Sequence, residues 1–153
     1  MTSQASSQAT SESASVIEFH VGDSAPDPLP LVTESQLVST WIPGPPVVSI
    51  LCATYQHNGF VAAALRGFLG QVTEFPFEVI VRDDASTDGT SEVVAEFARA
   101  YPNVVRHVLE PVNTWPRRKP TEAMTALAQG RFIALCEGDD YWTEPRKLQV
   151  QRD

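Results

Sequence analysis

The sequence predicts an α/β fold built on an open, mainly parallel sheet with helices on both faces. Two observations predict it. From Val47 onward, short and nearly all-apolar runs alternate with amphipathic stretches in the order β-α-β-α-β-α-β. Continuous apolar runs are the habit of parallel strands covered on both faces, and parallel neighbours need the crossover helices that the alternation supplies.

Each element has its own signature. Residues 47–53 form a β-rich apolar run behind prolines and read as the first strand, buried on both sides. Phe60/Val61, Ala64/Leu65, Phe68/Leu69 and Val72 make a doubled stripe every four residues, which predicts a helix. Residues 77–82 read as the second strand, Val93/Val94, Phe97/Ala98 and Tyr101 as the second helix, and 103–109 as the third strand. Ala123/Met124 and Leu127/Ala128 mark a third helix that stops at Gly130, and 131–136 read as a fourth strand. A short helix is expected near 143–149.

The chain has 153 residues and a net charge of -8. Five acids and no Lys or Arg fall in residues 1–45, so most of the charge belongs to the front. That front is rich in Ser, Thr, Gln and Pro and is expected to be a disordered tail, with the domain over 46–153. Two apolar islands in it, 16–19 and 37–42, have docking on the domain or on a partner as their alternative. An acidic chain repels polyanions, which argues against nucleic-acid partners. No apolar run reaches the roughly 18–20 residues of a membrane span, and the first residues lack the pattern of a secretory signal, so the reading is cytoplasmic. Cys52 and Cys136 are too few and too isolated for a disulfide scaffold or a zinc site, and are expected to be buried thiols.

In open parallel sheets ligands gather beyond the carboxyl ends of the strands. The loops that reach that rim are 54–59, 83–84 and 137–140. Glu137, Asp139 and Asp140 crowd three carboxylates into four residues, a setting for a hard divalent cation such as Mg²⁺ or Mn²⁺ held together with substrate phosphates. The plain alternative is an acidic turn that caps the short helix behind it. Asp84 could equally fold a turn and Asp88 cap a helix. Tyr55 offers a ring for a nucleobase. Rival nucleotide and hydrolase signatures, GxGxxG, GxxxxGK[ST] and GxSxG, are absent.

Residues 47–151 resemble the inverting family 2 glycosyltransferases of the GT-A (Rossmann-like) fold. The resemblance lies in the strand and turn ending Ala53-Thr54-Tyr55-Gln56, in Asp83-Asp84-Ala85-Ser86-Thr87-Asp88, in the DxD-like Glu137-Gly138-Asp139-Asp140-Tyr141-Trp142, and in the trailing Pro145-Arg146-Lys147-Leu148-Gln149. It implies transfer of a sugar from a nucleotide-diphosphate donor, a UDP-sugar in the first place, to a glycan or other hydroxyl acceptor in polysaccharide synthesis. It places the nucleotide on Thr54, Tyr55, Asp84, Glu137 and Lys119: Tyr55 packs on the base, Asp84 hydrogen-bonds it, and Lys119 lies in the basic loop Arg117-Arg118-Lys119 near the diphosphate, a loop whose alternative is a solvated turn. It places Mg²⁺ or Mn²⁺ on Asp139 and Asp140. It also makes the first and fourth strands neighbours, which brings Cys52 near Cys136.

Three positions depart from the family pattern: Gln56 for Asn, Ala85 for Gly and Glu137 for Asp. Ala85 restricts its turn to negative φ unless strained. An inverting transfer also needs a base for the acceptor hydroxyl, and the resemblance puts that base beyond the DxD region. Ending at Asp153, the sequence reads as the donor-binding half, truncated, with the catalytic base unassigned and one sheet edge uncovered. The alternative is a non-catalytic nucleotide-binding or interaction module. A nucleotidyltransferase is disfavoured, because the first loop is not rich in Gly and Arg.

Overall fold

A computed structural model describes residues 29–153. The first apolar island, 16–19, lies outside the described residues. The elements run α1 (Glu34–Val38), β1 (Val48–Thr54), α2 (Val61–Leu69), β2 (Phe77–Asp83), α3 (Thr90–Ala100), β3 (Val105–Leu109), α4 (Pro120–Thr125), β4 (Phe132–Leu135) and α5 (Lys147–Arg152). The four strands form one parallel sheet in the order β3-β2-β1-β4. The predicted alternation and the pairing of the first strand with the fourth are both present.

Period-2 alternation sends each strand's side chains to two layers. Ile50, Cys52, Val79 and Val81 face α2 and α3, where Leu65, Phe68, Val94 and Phe97 complete the main core. Leu51 and Ile80 face the other way, against Met124 of α4. This second face is thinner and partly polar: Glu78 Oε1 accepts from Ser49 Oγ (2.6 Å) and from the Gln129 amide (2.6 Å). Those bonds explain why the third helix is shorter than its stripe. The Gln129 and Gly130 amides donate to Glu78 and Ser49 side chains, so the backbone leaves the helix before Gly130.

Two expectations need correction. Burial on both faces holds for β1 and β2, but β3 is partly exposed and Phe132, Ile133 and Leu135 of β4 are 44–62% exposed, because β3 and β4 are the sheet edges among the described residues.

The second correction concerns residues 29–45: expected in the disordered tail, they are folded onto the domain. Thr33 and Gln36 close a capping box at the start of α1, Leu37 is buried, and Trp41 meets Phe77 edge-on at 5.1 Å between centroids. The Ile42 amide donates to Glu74 O (2.8 Å), and the Asn103 amide donates to the Glu34 carboxylate (2.7 Å). Two apolar anchors and a satisfied helix start are enough to order a stretch whose overall composition suggests a coil.

Behind the rim, the trailing segment is sewn to α2. Trp142 packs on Phe68 at 4.9 Å, and the Leu148 amide donates to Gln71 Oε1 (3.0 Å). This fixes the exit of the 137–142 loop, and with it the acids of the rim.

Candidate functional site

The loops after β1 and β2 are laced together. Gln56 Oε1 accepts from the Thr87 amide (2.7 Å), and the Gln56 amide donates to Ser86 Oγ (2.9 Å). The His57 amide donates to Thr90 Oγ1 (2.9 Å) and the Asn58 amide to Asp88 Oδ2 (3.1 Å). The Ser, Thr and Asp residues of the 83–90 motif therefore hold the first rim loop in place. Asp88 stands one residue before Gly89, the N-cap of α3, and its Oδ1 accepts from the Thr90 amide (3.1 Å) at the helix start. Both departures from the family pattern in these loops sit in left-handed backbone, Gln56 at φ 56 and Ala85 at φ 64. Of the two outcomes expected at Ala85, a negative φ or a strained turn, the chain takes the second: the turn geometry is kept and the strain accepted.

At the end of β2, residues two apart point to one face. Arg82 and Asp84 share the α4 side, both buried. Arg82 Nε donates to Glu110 Oε1 (2.9 Å), and Nη2 donates to Asp84 Oδ1 (3.2 Å) and Thr114 Oγ1 (2.7 Å). Asp84 also accepts from the Thr114 hydroxyl (2.7 Å) and from the amides of Thr114 and Trp115. Burial alone would raise the Asp84 carboxyl, but these hydrogen bonds and the Arg82 charge outweigh it and hold its pKa below the ordinary value. Asp83 faces the other way and takes the Ser86 amide (3.1 Å), which closes the turn.

Thr54, Tyr55, Asp84 and Glu137 line a single cavity of about 290 Å³. Four of the predicted nucleotide residues, from loops after three strands, thus meet in one place. The same cavity is lined by His57, Arg82, Asn113 and Trp115, which sequence reasoning did not single out. One signal existed for Arg82, the one basic residue in the strand-forming run of β2, two positions before Asp84. Tyr55 is 45% exposed and Trp115 66%, so both rings offer free faces at the mouth. Lys119 is exposed at the N-cap of α4 and does not line the cavity, whose wall there is formed by its neighbour Pro120.

The DxD-like loop rests on the first rim loop. Gly138 is buried, its amide donates to Ala53 O (2.9 Å), and Thr54 Oγ1 and His57 Nδ1 lie in hydrogen-bonding contact at 3.2 Å beside it. His57 Nε2 is 3.8 Å from Asp139 Oδ2. Asp139 and Asp140 are exposed at the rim, and the Asp140 carboxylate makes no hydrogen bond or ion pair among the described residues. Among the described residues no group of three or more His, Cys, Asp or Glu side chains surrounds a common point. Asp139 and Asp140 therefore present carboxylate oxygens at the rim without a closed ligand cage among the described residues.

The model of the family described as glycosyl transferase family 2 matches residues 49–151. The chain belongs to that family. Among family relatives, an uncharacterized protein of Mycobacterium tuberculosis is 44% identical over 104 residues, covering 68% of this chain and 30% of its own. A protein of Bacillus subtilis named putative teichuronic acid biosynthesis glycosyltransferase TuaG is 27% identical, over 69% of this chain and 40% of its own. The chain thus spans about a third of the length of these curated relatives. Among solved structures, S. aureus TarS 1-349 in complex with UDP is similar with a TM-score of 0.60 at 26% identity, covering 69% of this chain and 30% of that one. The same TarS region in complex with UDP-GlcNAc matches at 28% identity and a TM-score of 0.59. These likenesses place the sheet and helices of the family 2 chain in a glycosyltransferase fold.

Proposed function

We propose that this chain carries the donor-binding part of a glycosyltransferase that takes a nucleotide-diphosphate sugar, a UDP-sugar in the first place, and transfers the sugar with inversion to a glycan or other hydroxyl acceptor. The observation that carries this reading is the convergence of Thr54, Tyr55, Asp84 and Glu137 on one cavity, with Asp139 3.8 Å from His57 of its lining and Asp140 next in the chain. Similarity to TarS, solved with UDP and UDP-GlcNAc, supports a uridine donor, and the teichuronic acid biosynthesis in the name of TuaG supports a glycan acceptor.

Tyr55 stacks on the base, Thr54 positions the first loop against the DxD turn, and Asp84 organises the inner wall. Glu137 reaches toward the ribose, and Lys119, on the exposed loop, approaches the diphosphate. Asp139 and Asp140 would hold Mg²⁺ or Mn²⁺, which when bound supplies positive charge to the departing diphosphate. The protein's own part is to fix the donor and present the anomeric carbon. The proton released by the acceptor as the new C–O bond forms passes to a base not assigned here. Among the described residues no helix is long and apolar enough to cross a membrane, and we place the donor site in the cytoplasm, where nucleotide sugars are made.

Calorimetry with UDP tests the reading. Binding is expected to require Mn²⁺ or Mg²⁺ and to weaken sharply in the double variant Asp139→Ala, Asp140→Ala. Cation-independent binding untouched by that variant would remove the metal assignment. Cation-dependent binding without any donor hydrolysis or transfer would favour a non-catalytic nucleotide-binding module.

A further inference from the structure

His57, in the first rim loop, turns one ring nitrogen back to β1 and the other toward the acidic turn. Nδ1 is 3.2 Å from Thr54 Oγ1, and Nε2 is 3.8 Å from Asp139 Oδ2. The residue lines the cavity with Thr54, Tyr55 and Glu137. Its backbone is fixed on both sides: the amide donates to Thr90 Oγ1 (2.9 Å), and the carbonyl accepts from the Phe60 and Val61 amides (2.9 and 2.8 Å). The ring, 22% exposed, is therefore held in place, whereas the 49% exposed Asp139 side chain has no other hydrogen bond or ion pair among the described residues.

A separation of 3.8 Å is too long for a hydrogen bond, so Nε2 and the carboxylate face each other without one. Two donors that share a divalent cation are spaced differently. With bonds of about 2.0–2.2 Å they stand roughly 3.0–3.5 Å apart. A turn of the Asp139 side chain that moves its oxygen by less than about 1 Å reaches that spacing, and no backbone has to move.

The other nitrogen supplies what a metal-binding imidazole needs. Such a ring usually donates its second N–H to a fixed acceptor, which sets the tautomer and the ring orientation. Thr54 Oγ1 belongs to a buried residue and can accept, and with the proton on Nδ1 the lone pair of Nε2 faces Asp139. The donor set is thus one imidazole nitrogen and one or two carboxylates, with positions left for diphosphate oxygens and water.

We propose that His57 is a metal-binding residue of this chain: Nε2 and a carboxylate oxygen of Asp139 hold one divalent cation between them, and the nitrogen ligand makes the centre favour Mn²⁺ over Mg²⁺. Imidazole nitrogen is a softer donor than carboxylate or water, and Mg²⁺ keeps to oxygen. Through His57 and Thr54 the cation is then tied to the wall of the nucleotide cavity. This rests on the reading of Asp139 as a cation ligand and adds to it a ligand from the first rim loop.

The test is pulsed electron paramagnetic resonance of Mn²⁺ on the full 153-residue chain with UDP. Coupling to a histidine nitrogen is expected, changing when histidine is labelled with ¹⁵N and absent in His57→Ala. Calorimetry with UDP present should show Mn²⁺ affinity falling roughly tenfold or more in that variant, and Mg²⁺ affinity falling less. Mn²⁺ held without a nitrogen coupling, and released in Asp139→Ala, overturns this inference and leaves the carboxylate site standing. A nitrogen coupling that survives in His57→Ala comes from another residue and overturns it as well. No Mn²⁺ binding with UDP removes the metal reading and this inference together. If His57→Ala does not fold, His57→Gln, which keeps a donor for Thr54, takes its place, and the same loss of coupling is required.

Discussion

A Cβ placed on Gly138 would stand 2.5 Å from Thr54 Oγ1 and 2.9 Å from His57 Nδ1. The turn at 137–140 is therefore seated directly on the first rim loop, with the glycine as the spacer that allows it. Gly138→Ala must push the two loops apart. A strain of roughly 1–3 kcal/mol is expected, and UDP affinity should fall about tenfold in calorimetry. An unchanged affinity would show that the two loops do not act together in donor binding.

Ala85 at φ 64 holds a conformation that costs a residue with a Cβ about 1–2 kcal/mol. Ala85→Gly relieves that strain but loosens the unfolded chain. The net gain expected is about 0.5–1 kcal/mol, or a rise of roughly 2–5 °C in Tm. A lower Tm would mean that the turn does not adopt the left-handed backbone.

The docked N-terminal segment has a measurable stability. Leu37→Ala and Trp41→Ala each remove an anchor from the core layer and should cost about 2–4 kcal/mol in urea unfolding. Ile42, 69% exposed, serves as the control, and Ile42→Ser should change stability by less than about 0.5 kcal/mol. Neutral anchors would return residues 29–45 to the tail.

Asp84 and Asp88 make the rim sensitive to acid. In both, burial works to raise the carboxyl, but hydrogen bonds win: from Thr114 and Trp115, with the Arg82 charge, at Asp84, and from Thr90 and Asn58 at Asp88. Both folded pKa values are depressed, so the unfolded chain binds these protons more readily. The stabilisation is fully present above the ordinary Asp value of about 3.9 and is lost as pH falls through the lower folded values. Melts should therefore hold a flat contribution from these groups above about pH 4 and lose it below. Asp88→Asn should flatten part of that acid loss.

Cys52 is buried and Cys136 half-buried, neither in a disulfide. Burial first, and then the neighbouring Cys136 thiol, push the Cys52 thiol far up; burial and Asp140 push Cys136 up to about 11. Both stay protonated at neutral pH, and iodoacetamide at pH 8 should label neither appreciably until the chain is unfolded in guanidinium. Fast labelling of Cys136 in the native protein would contradict its environment. The expectation of two buried thiols holds fully only for Cys52.

Much of this molecule was legible in one dimension. Apolar runs at 47–53 and 77–82 and the doubled stripe from Phe60 to Val72 determine strands and helix locally, because burial on one or two faces must show as period. Their alternation determines a parallel sheet, since crossovers allow little else, and that topology brings the 54–59, 83–84 and 137–140 loops to one rim. The tertiary structure alone decided how those loops meet. That Gln56, His57 and Asn58 are tied to Ser86, Thr87, Thr90 and Asp88 depends on side-chain and amide hydrogen bonds across about 30 positions of sequence, which leave no periodic trace. The same holds for the network of Arg82, Asp84, Glu110 and Thr114. Whether a charged residue at the end of a strand faces solvent or a cavity depends on what closes over it, and here the cover is a loop 30 residues away. The docking of Leu37 and Trp41 was hidden for a related reason: composition averages over a segment, whereas ordering turns on whether two side chains find a complementary surface.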